Sequence, residues 1–230
     1  MTTPIIPFGM RGGTYNARQL QTQLTLAMVD VANQREPGYL GMSGIGGCPR
    51  EQYFRMVEPK LAEAQQSWYS MAGYVWEAGI KALLGDTEAA CKTISNLEPF
   101  GVGLIADFDA RYRGHIDHEI GNVLVEVKSA YWEKWLRIRG DGQPEYKHYA
   151  QVQSYLRHGR GRWDRAVIIY VARDIPHKLF YGVGGLPPFW CVDVNPNTKV
   201  QDELDIKAKW ILRCVDLRDP PKCECGWCRT

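Results

Sequence analysis

The 230-residue chain has no apolar run long enough to span a membrane. Residues Met1 to Gly13 also lack the charged start and apolar stretch of a secretory signal, so we expect a cytoplasmic protein. Internal repeats and low-complexity tracts are absent from the sequence. So are a phosphate-cradling glycine loop and a nucleophile motif, which leaves an unrelated α/β enzyme without support.

The chain also has little net charge. A formal charge of +2 neither requires nor excludes a nucleic-acid partner. The segment from Tyr131 to Arg165 is more basic, with eight Lys or Arg residues against four acids, and is either a phosphate-facing surface or an ordinary solvated face. Its basic residues are Lys134, Arg137, Arg139, Lys147, Arg157, Arg160, Arg162 and Arg165.

With 45% hydrophobic residues the chain can bury a sizeable core. Apolar periodicity predicts helices over residues 14–34, 49–57, 62–84, 145–158 and 199–217. Alternating or continuous apolar runs predict strands within 93–128 and over 165–171, 179–183 and 190–194. Helices on both sides of a central mixed sheet indicate an α/β fold. We divide it into an N-terminal helical segment (1–47), a core (48–222) and a cysteine tail (223–230).

The most informative motif is a hairpin. If Gly121 and Asn122 are its turn residues, Asp117 pairs with Glu126, and Lys128 shares their face because side chains alternate along a strand. Opposed carboxylates repel each other, and a divalent cation would offset the repulsion.

Mg²⁺ or Mn²⁺ suits such a carboxylate pair, with the Val127 carbonyl as a further oxygen ligand. Lys128 could then orient or help deprotonate a water and stabilise charge on a phosphate. The alternative is an exposed hairpin with an ordinary Glu–Lys pattern.

A polar stripe follows on the helix over 145–158. It contains His148, Gln151 and Tyr155 at helical spacing, and Arg157 is nearby. These donors would suit a DNA backbone, and a neighbouring aromatic such as Tyr131 or Trp132 could stack on a base. Alternatively, Gln151 and Tyr155 border the core.

Seven cysteines require a reason other than disulfides in a reducing compartment. Cys223, Cys225 and Cys228 lie within six residues and are one thiolate short of a tetrahedral site, which Cys48 can complete. Four cysteines suit either a [4Fe–4S] cluster or Zn²⁺, and we expect a structural role for the metal in both cases.

In their order along the chain, these motifs resemble the PD-(D/E)XK nuclease superfamily. Within it they are most similar to the RecB-like branch that includes the CRISPR-associated iron–sulfur exonucleases and their phage relatives. The residues that carry the resemblance are Gly114 and Asp117 (G-x-x-D), Glu126, Lys128 and Ser129 (E-x-K-S), Gln151 and Tyr155 (Q-x-x-x-Y), and the cysteine positions Cys48, Cys223, Cys225 and Cys228.

The resemblance implies a restriction-endonuclease-like core and metal-dependent hydrolysis of DNA, often at single-stranded ends. It favours the [4Fe–4S] cluster over zinc. It also places Glu77, four residues after Gly73, where the family usually has a metal-facing histidine, whereas an exposed pair with Lys81 is the alternative. Rival functions are a structure-specific endonuclease of the same fold and a non-catalytic DNA-binding or assembly module.

Overall fold

The computed structural model describes residues 38–58, 64–85, 103–174 and 189–223. The predicted helix over 14–34, the predicted strand over 179–183, Cys91, Cys225 and Cys228 lie outside these ranges. No helix in the described part of the chain is long and apolar enough to cross a membrane.

Helices α1, α2, α4 and α5 agree with predicted helices to within two residues at each end, whereas α3 was not predicted. Within α3, Trp132, Trp135 and Ile138 are buried at a spacing of three residues. The helices are α1 (Pro49–Val57), α2 (Ala64–Leu83), α3 (Trp132–Asp141), α4 (Tyr146–His158) and α5 (Thr198–Leu217). A short 3-10 helix covers Met42–Gly44.

The helix ends follow local sequence signals. Pro49 occupies the first turn of α1, where its missing N–H leaves no intrahelical bond unmade. Asn197 caps α5, since its side chain accepts a hydrogen bond from the Val200 amide at 3.2 Å.

The described strands form two sheets rather than the single central sheet predicted from sequence. One has the order β1-β3-β2 and the other β4-β5-β6-β7, and each contains both parallel and antiparallel pairs. The sheets separate at Asp117, a bend between two strands. The strands are β1 (Leu40–Gly41), β2 (Gly103–Asp107), β3 (Tyr112–Ile116), β4 (His118–Ile120), β5 (Val123–Ala130), β6 (Arg165–Ala172) and β7 (Phe189–Val194).

Strands β5 and β6 are parallel, so a crossover must connect them, and α3 and α4 form it. On one face of this sheet, Leu124 and Ile168 pack in the core with Val152 of α4. On the other face, Val125 and Val127 pack against Ile80 of α2. Glu126, on this central strand, shares the face of Leu124 because side chains alternate, and it is hydrogen-bonded to Gln151 of α4.

Candidate active site

The hairpin adopts the register predicted from its turn. His118 pairs with Val125 and Ile120 with Val123, and Gly121 has the positive φ of 57° that this turn requires. Asp117 lies directly before this ladder. Its Oδ2 accepts a hydrogen bond from the Val127 amide at 2.7 Å. The acid is thereby held against the strand that carries Glu126.

Glu126 is completely buried. Its Oε1 accepts hydrogen bonds from the Lys128 ammonium and from Gln151 Nε2, the latter at 2.7 Å. The other oxygen, Oε2, is also buried but meets no hydrogen-bond donor among the described residues. Burial and the charge of Asp117 raise the pKa of Glu126 to about 8. One carboxylate oxygen is therefore left without a donor from the part of the chain that the structure describes.

Asp117 and Lys128 complete the centre of the site. Burial raises the pKa of Asp117, although the Lys128 ammonium and the Val127 amide oppose the shift. Burial would lower the pKa of Lys128, but the charges of Glu126 and Asp117 outweigh it and raise that pKa. The Lys128 side chain is still 22% exposed.

Glu77 forms the i,i+4 ion pair with Lys81 that sequence offered as an alternative, but the pair is not on the surface. The Glu77 side chain is 14% exposed and that of Lys81 only 1%. Burial and the charge of Asp117 raise the pKa of Glu77 to about 7. Glu77 therefore interacts electrostatically with the hairpin acids.

Lys81 was not among the predicted site residues. Its signal in the sequence was its position next to Ile80 on the buried side of α2, four residues after Glu77. A lysine on such a face needs an anionic partner, and Glu77 is that partner.

Gln151 and Tyr155 connect α4 to this centre. Gln151 Nε2 lies 2.7 Å from Glu126 Oε1 and 2.8 Å from Tyr155 Oη. The Tyr155 hydroxyl donates to the His115 carbonyl at 2.8 Å, and burial raises its pKa well above the usual value. Both side chains are buried and contact protein groups. Their predicted contact with DNA stays a prediction, whereas the hydrogen bond from Gln151 to Glu126 is a feature of the structure.

Of the other two predicted DNA-binding residues, His148 lies 2.9 Å from the Tyr170 hydroxyl through Nδ1. Burial and the Lys128 charge lower the pKa of His148 to about 2, so its ring is neutral. Arg157 is 42% exposed and pairs with Asp202 and Asp205 of α5 at 3.1 and 3.4 Å.

Three cations of the basic segment surround Glu145 at the start of α4. Lys134, Arg137 and Lys147 place nitrogen atoms 3.0, 3.6 and 3.8 Å from its carboxylate. Partial burial and the nearby charges of Lys134 and Lys128 lower the pKa of Lys147. These residues, which we call the Glu145 cluster, therefore carry net positive charge close to Lys128.

No protein-family model matches the chain, and no curated protein matches it in sequence. Similar solved structures include an alkaline exonuclease (LHK-Exo) from Laribacter hongkongensis, 13% identical, with a TM-score of 0.48 over 84% of this chain and 93% of that chain. The same enzyme in complex with dAMP is 13% identical, with a TM-score of 0.48 over 86% of this chain and 93% of that chain. A phage-related exonuclease from Haemophilus somnus 129PT is 13% identical, with a TM-score of 0.40 over 80% of this chain and 96% of that chain. Likenesses of this strength assign no function to the chain.

Asp117 and Glu126 could provide two ligands to a hard divalent cation but not its complete coordination sphere. Within the described ranges, no three His, Cys, Asp or Glu side chains converge into a ready-made metal centre. Mg²⁺ commonly binds through one or two carboxylates and keeps water and substrate phosphate as its other ligands. The open Oε2 of Glu126, beside an Asp117 that raises its pKa, fits that mode of binding.

The predicted thiolate site is described in part. Cys48 Sγ and Cys223 Sγ lie 3.6 Å apart, although 175 residues separate them along the chain. Sequence predicted that Cys48 would lie beside the tail. A [4Fe–4S] cluster in this place stays a prediction.

Proposed function

We propose that this chain is a divalent-metal-dependent nuclease that hydrolyses phosphodiester bonds in DNA, and specifically an exonuclease acting on single-stranded or free ends. The observation that carries the proposal is the pair Asp117 and Glu126, in which a fully buried carboxylate keeps one oxygen without a donor among the described residues. Lys128 lies beside them and is partly open to solvent.

Asp117 and Glu126 would hold Mg²⁺ or Mn²⁺, with Glu77 and the Val127 carbonyl as further oxygen ligands. When bound, such an ion polarises a phosphoryl oxygen and lowers the pKa of its water. Support for Glu77 in this set is electrostatic, since the charge of Asp117 contributes to its raised pKa.

Lys128 would act as a cationic donor. Its ammonium would orient water or stabilise charge on the phosphate. In the structure it is bound to Glu126. A cation that takes over Glu126 would release Lys128 toward the phosphate.

Gln151 is proposed as a positioning residue. It holds Glu126 Oε1, and its contact with the Tyr155 hydroxyl anchors it through the His115 carbonyl. The carboxylate is therefore fixed before the metal binds, which reduces reorganisation during the reaction.

Substrate comparison tests the class of nuclease. The full chain is incubated in Mg²⁺ or Mn²⁺ with end-labelled single-stranded, duplex and flap DNA and with closed circular single strands. We expect linear DNA to be shortened from its ends while the circles survive. Cleavage of circles or at flap junctions would instead indicate an endonuclease, and binding without cleavage in either metal would indicate a non-catalytic module.

Substitution tests the residues. Asp117→Asn and Glu126→Gln should each abolish cleavage and weaken Mg²⁺ binding measured by calorimetry. Glu119→Gln is the matched control, because Glu119 lies on the same hairpin but pairs at 2.5 Å with Arg162. Wild-type cleavage by a folded Asp117→Asn variant would end the assignment.

A further inference from the structure

Two hydrogen bonds at the start of α4 fix the position of the proton on the His148 ring. The Glu145 amide donates to the Tyr170 hydroxyl at 3.1 Å, and the same hydroxyl lies 2.9 Å from His148 Nδ1. Among the described residues, Nδ1 is the acceptor within reach of the hydroxyl proton, so Tyr170 donates to it. Burial and the Lys128 charge lower the pKa of His148 to about 2, so the ring is neutral. Its single proton is therefore on Nε2.

The Nε2–H of His148 is a donor that the protein leaves open. The ring makes its hydrogen bond through Nδ1, and Nε2 meets no acceptor in the described part of the chain. The side chain is only 14% exposed. A largely buried N–H group is normally satisfied by water or by a ligand. This donor is therefore ready to receive an acceptor atom from outside the protein.

The open donor lies next to the lysine of the proposed active site. Tyr170 on β6 is the register partner of Lys128 on the parallel strand β5. Such partners are about 4.8 Å apart and project from the same face of the sheet. The ring that Tyr170 holds is therefore close to Lys128, and the Lys128 charge contributes to the lowered pKa of His148.

Two lysines of the Glu145 cluster surround the same place. Glu145 Oε2 lies 3.0 Å from Lys134 Nζ, 3.8 Å from Lys147 Nζ and 3.6 Å from His148 Nδ1. No hydrogen bond reaches this oxygen from the described residues, so the carboxylate balances the two ammonium groups only in part. Partial burial and the Lys134 charge lower the pKa of Lys147. An additional anion would relieve that repulsion.

We propose that the His148 Nε2–H, Lys134 and Lys147 bind a phosphate group of a DNA strand, and that Tyr170 is the positioning residue that keeps the His148 donor in place. A phosphodiester suits this set, because its anionic oxygens accept hydrogen bonds from neutral N–H groups and from ammonium groups. The inference rests on the proposed nuclease function, since this phosphate would neighbour the one that Lys128 contacts. No covalent bond forms or breaks at this site.

Binding of a short single strand in EDTA tests the site without cleavage. Affinities of the full chain are measured by calorimetry for the wild type, His148→Leu and His148→Gln. We expect about tenfold weaker binding for His148→Leu, the usual cost of losing one hydrogen bond to a charged group. His148→Gln should bind nearly as well as the wild type, because its amide can replace the Nε2 donor. Unchanged binding by a folded His148→Leu variant would overturn the proposal.

Changing the ligand identifies the source of the phosphate. The strand should bind more tightly than inorganic phosphate, and a strand of the same sequence with uncharged methylphosphonate linkages should lose the effect of His148→Leu. Lys134→Gln and Lys147→Gln should each weaken binding of the charged strand alone. A strand that binds no better than inorganic phosphate would overturn the assignment to DNA.

Cleavage of linear DNA in Mg²⁺ is measured separately, so the two proposals fail in different ways. Weaker strand binding by His148→Leu together with an inactive wild type would refute the nuclease and support the phosphate site. An active wild type whose strand affinity and kcat/KM do not change in His148→Leu would refute the site and leave the nuclease.

Nuclear magnetic resonance tests the role of Tyr170 directly. Proton–nitrogen correlation spectra of the wild type should show the His148 proton on Nε2. In Tyr170→Phe the ring should become a mixture of tautomers, and strand binding should weaken. Tyr112→Phe is the matched control, since it removes another buried hydroxyl, bonded to Ser154 at 2.8 Å, and should change neither result. A wild-type ring protonated on Nδ1 would overturn the proposal even if the variants fail to fold.

Discussion

At the scale of single residues, Glu126 is a buried acid whose hydrogen bonding is incomplete within the described residues. It is completely buried, and its Oε2 has no donor among the described residues. Burying an acid with one oxygen unmatched costs stability. If a divalent cation binds there as proposed, it would supply the missing interaction and offset this cost.

The raised pKa values give a prediction about pH. In the folded state the pKa is about 8 for Glu126 and about 7 for Glu77, against about 4.5 for an unfolded glutamate. Between these pH values the folded chain binds more protons than the unfolded chain. The contribution of these two acids to the free energy of unfolding is therefore fully present below about pH 4.5 and is lost as the pH rises to about 8. We expect Tm in magnesium-free buffer to fall over this range and the Glu126→Gln variant to show a shallower fall.

Glu119→Gln provides the control for that series. Although burial opposes the shift, hydrogen bonds from Arg162 and Trp163 lower the pKa of Glu119. Its variant should therefore not reduce the alkaline fall. Added Mg²⁺ should raise Tm more at about pH 8 than at about pH 5, because protons compete with the metal for the same oxygens. Equal slopes in wild type and Glu126→Gln would show that the pKa of Glu126 is not raised as described.

Lys128→Met separates metal binding from catalysis. Removing the ammonium should lower kcat about 10²- to 10³-fold, the usual cost of losing one charge-stabilising donor. Mg²⁺ affinity should stay the same or increase, because Lys128 and the cation compete for Glu126. Calorimetry and single-turnover cleavage measure the two effects. Lys209→Met on α5 serves as control, and an unchanged kcat in Lys128→Met would remove this lysine from the mechanism.

The sequence could predict which residues of the hairpin lie next to each other, but not how deeply they are buried. The strand period of two and the Gly121 turn place Asp117 next to the strand of Glu126 and Lys128. The burial of Glu126 depends on Gln151 of α4. That contact is tertiary, so no spacing within the hairpin encodes it.

At the scale of elements, the packing of α4 on β3 explains the glycine of the G-x-x-D motif. A Cβ at Gly114 would lie 2.4 Å from Tyr155 Cε1 and 3.0 Å from Met42 Cβ. Distances this short cannot be accommodated without movement of α4 or of the 3-10 helix. The glycine therefore permits the close approach that brings Tyr155 and Gln151 to the acids.

Gly114→Ala should accordingly damage both stability and activity. We expect a loss of about 1–3 kcal/mol in the free energy of unfolding from overpacking, measured by urea denaturation. Cleavage should also fall, since displacement of Tyr155 disturbs the hold of Gln151 on Glu126.

The control for this prediction is Gly140→Ala on the exposed side of α3, where a Cβ meets nothing within 4 Å. It should be neutral or stabilising by up to about 1 kcal/mol. Equal effects of the two substitutions would contradict the packing explanation.

The elements were predictable where local signals were strong. Pro49 fixed the start of α1, and apolar periodicity defined α4 and α5. Helix α3 was not predicted, although Trp132, Trp135 and Ile138 recur on one face at a spacing of three residues. The division into two sheets could not be predicted, because a bend at Asp117 depends on what each half of the strand pairs with.

At the scale of the whole molecule, a net charge of +2 means that attraction to DNA must come from a local surface. The basic segment of residues 131–165 does not form one such surface. Arg157, Arg162 and Arg165 pair with Asp202, Glu119 and Asp193. The Glu145 cluster instead places three cations around one carboxylate and lies close enough to Lys128 to influence Lys147 electrostatically.

The salt dependence of DNA binding can decide which of these cations contact phosphates. Each phosphate contact contributes about 0.7–0.9 to the slope of log affinity against log salt concentration, because it releases condensed counterions. In an Asp117→Asn background that cannot cleave, replacing Lys134 and Lys147 by Gln should reduce the magnitude of that slope by about 1.5.

Replacing Arg162 and Arg165 by Gln removes the same formal charge. Because these two arginines are neutralised by acids on the hairpin and on β7, their replacement should leave the slope nearly unchanged. Equal reductions in both double variants would mean that DNA responds to total charge, and the Glu145 cluster would then have no special part in guiding a strand toward Asp117 and Glu126.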